Sequence, residues 1–101
     1  MELTIQAIHF TASDTVKDYL QNKVDKLERF HDKIIHAEAI LRKEHMDGQE
    51  KMWVELKMQV PGNLIIAKET GNTFEEAIDL CINKVQPQIK KHNEKLKNHK
   101  E

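Results

Sequence analysis

The stretch Met52-Trp53-Val54-Glu55-Leu56-Lys57-Met58-Gln59-Val60 alternates apolar and polar side chains without a break. A period of two marks a strand with one face buried and the other wet. Pro61-Gly62 follows, and it is turn chemistry, since proline presets φ at the first corner and glycine accepts a positive φ at the second. Leu64 to Thr70 supplies the returning strand, so residues 51–70 predict a β-hairpin, ended by Gly71-Asn72.

Downstream of the hairpin, Thr73-Phe74-Glu75-Glu76 fits a capping box, in which the Thr73 hydroxyl caps the Glu76 amide and the Glu76 carboxylate reaches back. Phe74, Ala77, Ile78, Cys81, Ile82, Val85 and Ile89 then form one apolar stripe of a second helix, with Leu96 extending it. Upstream, His36 to Lys43 sets Ala37, Ala39 and Leu41 on one side and Ile40 on the other, which predicts a strand followed by a loop from Glu44 to Glu50. A first helix is marked by Val16, Leu20, Val24 and Leu27, with Tyr19 on its flank. It starts from an N-cap at Ser13 or Asp14 and runs to about Arg29 or Phe30. Leu3, Ile5 and Ala7 alternate with Glu2, Thr4 and Gln6, giving a first strand over about 2–10. The resulting order, β-α-β-β-β-α, is an α+β fold with one four-stranded sheet. A right-handed crossover sets the first strand parallel to the second. Both helices are expected on one sheet face, because the apolar side of the hairpin is the only large surface that their stripes can cover.

A chain of 101 residues supports one compact domain, expected to span 1–101 with about 98–101 frayed. Charged residues make up 33%, and no stretch approaches the ~20 apolar residues that a membrane span requires. Met1-Glu2-Leu3-Thr4-Ile5 lacks the basic-then-apolar pattern of a secretory signal, so a cytoplasmic location is the expectation. Cys81 stands alone, which excludes an internal disulfide and a CxxC pair; its spacing from Ile78 and Val85 reads as core.

The net charge of −1 argues against a nucleic-acid partner if the chain is taken whole, but the charge is partitioned. From Lys84 to Glu101 six lysines face two glutamates, a local net of +4, whereas the first 83 residues carry ten basic and fifteen acidic side chains, a net of −5. At about 100° per residue, Lys84, Lys91 and Lys95 fall within roughly 40° of one another beside the apolar stripe, with Lys90 and Lys97 further round. On the first helix Lys23, Lys26 and Arg29 step along one flank, diluted by Asp18, Asp25 and Glu28. If the helices pack side by side, the two basic flanks are expected to line one groove suited to a phosphodiester backbone. Lysines late in a helix also complement its dipole and keep a surface soluble, so the charge pattern alone fits a solvated face as well.

Nothing points to catalysis. His9, His31, His36, His45, His92 and His99 never take the HxxxH or HExxH spacing that brings two imidazoles to one metal. There is no GxSxG, Gly-rich phosphate loop or DxDxDG run, and Glu44, His45, Asp47 and Glu50 read as a polar turn in preference to a cation site. No enzyme activity, cofactor, metal or small-molecule substrate is expected. Trp53 is expected on the sheet face away from the helices, where an aromatic can stack on a base or pack on a partner.

Three motifs carry a resemblance. Lys26-Leu27-Glu28-Arg29-Phe30 with Asp32-Lys33-Ile34, then Glu76-Ala77-Ile78-Asp79 continuing to Ile82-Asn83-Lys84, then Lys91-His92-Asn93-Glu94-Lys95-Leu96-Lys97 resemble the ribosome hibernation promoting factor family. That family is also known as the ribosome-associated inhibitor or sigma-54 modulation family. The likeness runs from about residue 2 to 97. It implies a fold similar to double-stranded-RNA-binding domains, lodged on the small ribosomal subunit against its rRNA. There it would block the mRNA and tRNA path and inhibit translation by idle ribosomes under stress or in stationary phase. The rRNA contacts implied are Lys23, Lys26, Lys84, Lys91 and Lys95, joined by Arg29 and Lys90 at positions where family members vary. The chain resembles the short form, without a C-terminal dimerisation domain, so that ribosome pairing would fall to a separate factor. An alternative is a protein-interaction or transcription-modulating module acting through the sheet face around Trp53. The chain departs from the family at Pro87, where relatives commonly carry arginine or another good helix former. Proline there is expected to kink or loosen the helix and to re-aim Lys91 and Lys95.

Overall fold

The computed structural model describes residues 2–31 and 33–98. β1 (Glu2–Ala7), α1 (Asp14–Phe30), β2 (His36–Met46), β3 (Gln49–Val60), β4 (Asn63–Gly71) and α2 (Phe74–Asn98) follow in the expected order. They form one four-stranded sheet, β1-β2-β3-β4, in which β1 pairs parallel with β2 and the other neighbours are antiparallel. The expected fraying over about 98–101 lies, past Asn98, outside the described residues, as do Lys100 and the side chains of Leu96 and Lys97.

The alternation on β3 organises the core. Val54, Leu56, Met58 and Val60 are fully buried, while the residues between them are half-buried on the opposite face. Leu56 stands in register between Ala39 on β2 and Ala67 on β4, a small-large-small row that leaves room for the helices above it. Val16, Leu20, Val24 and Leu27 of α1 and the α2 stripe join the same cluster, so both helices cover one sheet face. Ser13 caps α1, its hydroxyl accepting from the Val16 amide at 3.2 Å. At the start of α2 the Thr73 hydroxyl accepts from the Glu76 amide at 3.1 Å. The Glu76 carboxylate accepts in turn from the Asn72 amide, one residue ahead of the cap.

Two boundaries differ from expectation. β1 stops at Ala7 instead of continuing to about residue 10, because His9 takes a left-handed φ of 64° and turns the chain after a last bond from the Ile8 amide to the Leu41 carbonyl. The expected loop from Glu44 to Glu50 is instead the end of one strand and the start of the next. Asp47 and Gly48 join them with φ of 53° and 75°, the two positive values that a type I′ hairpin turn requires. Glu44 therefore faces Lys51 in register and His45 faces Glu50, which places successive side chains on opposite faces. Among the described residues no group of three or more His, Cys, Asp or Glu side chains is placed to hold a metal ion. No helix among them is long and apolar enough to cross a membrane.

Pro87 does not break α2, which is helical on both sides of it. Val85 and Ile89, on either side of the proline, are both fully buried, so the apolar stripe keeps its register and the expected re-aiming is not seen at the core. Proline removes the N–H that would bond the Asn83 carbonyl, and the downstream half is held from outside the helix. His92 Nε2 donates to the Pro61 carbonyl at 2.8 Å, tying α2 to the β3–β4 turn. One turn earlier, the Gln88 side-chain amide donates to the Lys84 carbonyl at 2.9 Å.

Candidate nucleic-acid interface

Lys84, Lys91 and Lys95 of α2 stand on the flank that overlooks β4. Lys91 and Lys95 line a depression of about 300 Å³ together with Gln88, His92 and, from the turn and β4, Asn63 and Ile65. Lys84 belongs to the same row but is paired with Glu69 of β4. Glu69 lies on the helix-facing side of β4 because it continues the alternation of Ile65 and Ala67, and it keeps 18% side-chain exposure. The hydrogen bond and charge of Glu69 raise the Lys84 pKa above its ordinary value and so hold the ammonium charged.

On α1, Lys23 and Lys26 face the other way, into a groove of about 190 Å³ between the helices. Leu27 and Phe30 complete its α1 wall, and Ile82, Asn83 and Gln86 form the α2 wall. Lys23 is fixed there: its ammonium lies 3.4 Å from Asp79 Oδ1 and 5.2 Å from the centre of the Tyr19 ring, whose hydroxyl donates to Asp79 at 2.7 Å. The Asp79 charge raises the Lys23 pKa, and the hydrogen bond to Asp79 raises that of Tyr19.

The two basic flanks therefore do not meet across one groove, as side-by-side packing had suggested. α2 turns Lys84, Lys91 and Lys95 towards β4 and offers Asn83 and Gln86 to α1. Lys90, one turn beyond Gln86, follows on that same side of α2. Among the described residues Lys26, Arg29, Lys90, Lys91 and Lys95 enter no ion pair with a described partner, whereas Lys23 and Lys84 are countered by Asp79 and Glu69. The roles of Asp79 and Glu69 escaped the sequence reading, although the period-two pattern of β4 already placed Glu69 on the helix side.

Trp53 lies on the outer sheet face, in register with Arg42 on one side and Thr70 on the other. The Arg42 guanidinium sits 3.9 Å from the ring centre and is itself held by Glu44 at 2.7 Å, so the indole is covered by the protein's own cation. Two rows along the same face, Lys57 and Glu38 make a cross-strand ion pair at 4.0 Å. Ile40, Leu64 and Ile66 share this face with the charged residues, and Leu64 and Ile66 are exposed, so it is a mixed surface on which Trp53 is already covered.

Residues 3–97 match the family described as sigma 54 modulation protein / S30EA ribosomal protein. A ribosome hibernation promoting factor of Pseudomonas putida is 32% identical over 95 residues, covering 94% of this chain and 89% of the relative. Among solved structures, a ribosomal subunit interface protein from Coxiella burnetii superposes with a TM-score of 0.82 at 18% identity, covering 92% of this chain and 98% of that one. The N-terminal domain of Thermus thermophilus Protein Y gives 0.73 at 24% identity, covering 90% and 94%. These structures establish the shared β-α-β-β-β-α fold.

Proposed function

This chain belongs to the sigma 54 modulation protein / S30EA ribosomal protein family, whose members are non-enzymatic ribosome-binding proteins, and from that premise we propose that it is a ribosome hibernation factor. It binds the small ribosomal subunit through rRNA phosphates, occupies the mRNA and tRNA path and inhibits translation by idle ribosomes in the cytoplasm. The observation that carries this reading is the match over residues 3–97. The cations Lys26, Arg29, Lys90, Lys91 and Lys95, which enter no ion pair among the described residues, support it. Because they are split between two flanks of the helical layer, the rRNA contact is two surfaces separated by α2, with Lys23 and Lys84 joining once phosphate competes with Asp79 or Glu69.

Co-sedimentation with ribosomes and isolated small subunits across a salt series tests the proposal. About four or five phosphate contacts imply a log–log slope of affinity against salt near −4. A protein that pellets with small subunits and is released along that slope supports the reading; a flat salt response overturns the phosphate mechanism, and absence of binding overturns the function.

A further inference from the structure

The groove between α1 and α2 is built differently from the lysine ridge, and phosphate contact alone leaves most of its features without a use. Its floor is apolar, made by Leu27 and Ile82, which also belong to the core. At its rim stands Phe30, 73% exposed, the most exposed large apolar side chain among the described residues. Facing it across the groove are the two side-chain amides of Asn83 and Gln86, each offering both donors and an acceptor. Lys23 is tied to Asp79 and Tyr19 inside the groove, while the exposed Lys26 has no ion-pair or hydrogen-bond partner among the described residues.

An apolar slot with an exposed ring on one side, amides on the other and a cation at the edge matches the parts of a single nucleotide. Unpaired bases are recognised by stacking on aromatic rings and by hydrogen bonds to their edges. A duplex cannot use such a slot, since its bases are stacked and paired. We infer that the groove takes one unstacked nucleotide of single-stranded or bulged RNA. The base lies against Phe30 over the Leu27–Ile82 floor, its edge meets the Asn83 and Gln86 amides, and its phosphate meets Lys26. This rests on the RNA-binding reading above and deepens it, because it adds base readout to a contact otherwise made to the backbone alone.

The test compares wild-type protein with Phe30→Ala, Phe30→Trp and Lys26→Gln. The probes are ribosomes, single-stranded RNA dodecamers of uridine, adenosine or cytidine, and an abasic ribose-phosphate dodecamer of the same charge. Phe30 is exposed at the end of α1, so its variants keep the fold, which circular dichroism verifies. The expected result is that Phe30→Ala weakens binding to at least one base-bearing RNA about tenfold, the scale of one base–aromatic stack, and leaves the abasic strand unaffected. Phe30→Trp retains the affinity, and Lys26→Gln weakens both kinds of strand. Equal binding of base-bearing and abasic strands by wild-type protein, or a Phe30→Ala loss shared by both, overturns the inference while leaving ribosome binding intact. A Phe30→Ala variant that loses ribosomes but keeps every dodecamer assigns the groove to a protein surface and also overturns it. Wild-type protein that binds neither ribosomes nor RNA overturns the proposed function itself.

Discussion

Lys84 on α2 is paired with Glu69 on β4, so the first lysine of the ridge rests on the protein's own carboxylate. Phosphate must compete with Glu69 for that ammonium, and the competition is removable. Glu69→Gln is expected to tighten ribosome binding severalfold at low salt and to steepen the salt slope by up to ~0.9, the increment of one added phosphate contact. Thermal stability should change little, since glutamine keeps the shape of the mostly buried Glu69 side chain and the Lys84 ammonium it releases is open to solvent. Co-sedimentation of both proteins across salt decides the matter; identical slopes would remove Lys84 from the contact.

The separation of the two basic flanks by α2 makes their effects independent. Lys91→Gln with Lys95→Gln, and separately Lys26→Gln with Arg29→Gln, should each reduce the salt slope by about 2, from about 0.9 per contact. The quadruple variant should lose the sum, because groups on opposite flanks with no shared partner do not couple. Strong non-additivity in the measured affinities would show that the two flanks grip one phosphate track.

The parts of this fold legible in the sequence are those governed by short-range periodicity. The β3 alternation, the Pro61-Gly62 turn and the Thr73 cap each appear where the residues place them. The Asp47-Gly48 turn carried an equally direct signal, yet the polar residues around it read as a loop, since solvent-exposed strand ends have no apolar alternation to reveal them. The direction in which a helix flank faces is not a local property. A helical wheel groups Lys84, Lys91 and Lys95 correctly, but whether they look at α1 or at β4 depends on which side of α2 the other helix packs. That side is set by the whole core. Phe30 is a related case, since in sequence it reads as the last apolar residue of α1 and in the structure it stands outside the core.

Pro87 lies within a helix that continues through it, and its cost can be measured. Proline in a helix interior is about 3 kcal/mol less favourable than alanine, and removing it returns up to ~1 kcal/mol of that through the freer unfolded chain. Pro87→Ala should therefore stabilise the protein by about 2 kcal/mol, a rise of about 10 °C in Tm for a domain of this size, read by urea and thermal denaturation. Removal of the His92 tether, as in His92→Ala, should cost more in the Pro87 protein than in the Pro87→Ala background, because an unbroken helix needs less support from Pro61. Equal costs would mean that the tether does not compensate for the proline.

Cys81 gives the fold a pH dependence whose sign can be worked out. The thiol is fully buried and directed at strand carbonyls, 3.5 Å from Val54 O and 3.7 Å from Ala67 O. Burial first, and then the Glu69 charge, push its pKa from 9.0 to about 12. Between those values the folded state holds a proton that the unfolded state has released, so stability falls as pH rises. The contribution is complete below about pH 9 and is lost progressively as the folded pKa of about 12 is approached. Tyr19, Lys23 and Lys84 also have raised pKa values and contribute to alkaline unfolding, so the wild-type curve alone does not isolate the thiol. Cys81→Ala keeps those groups and removes only this one. Its stability deficit against wild type, measured by urea denaturation at pH 8, 9 and 10, is expected to narrow with pH. At pH 8 a thiol reagent should label wild-type Cys81 only through unfolding, at a rate that urea accelerates. A constant deficit and prompt labelling of the folded protein would together show that the thiol is not held neutral by the core.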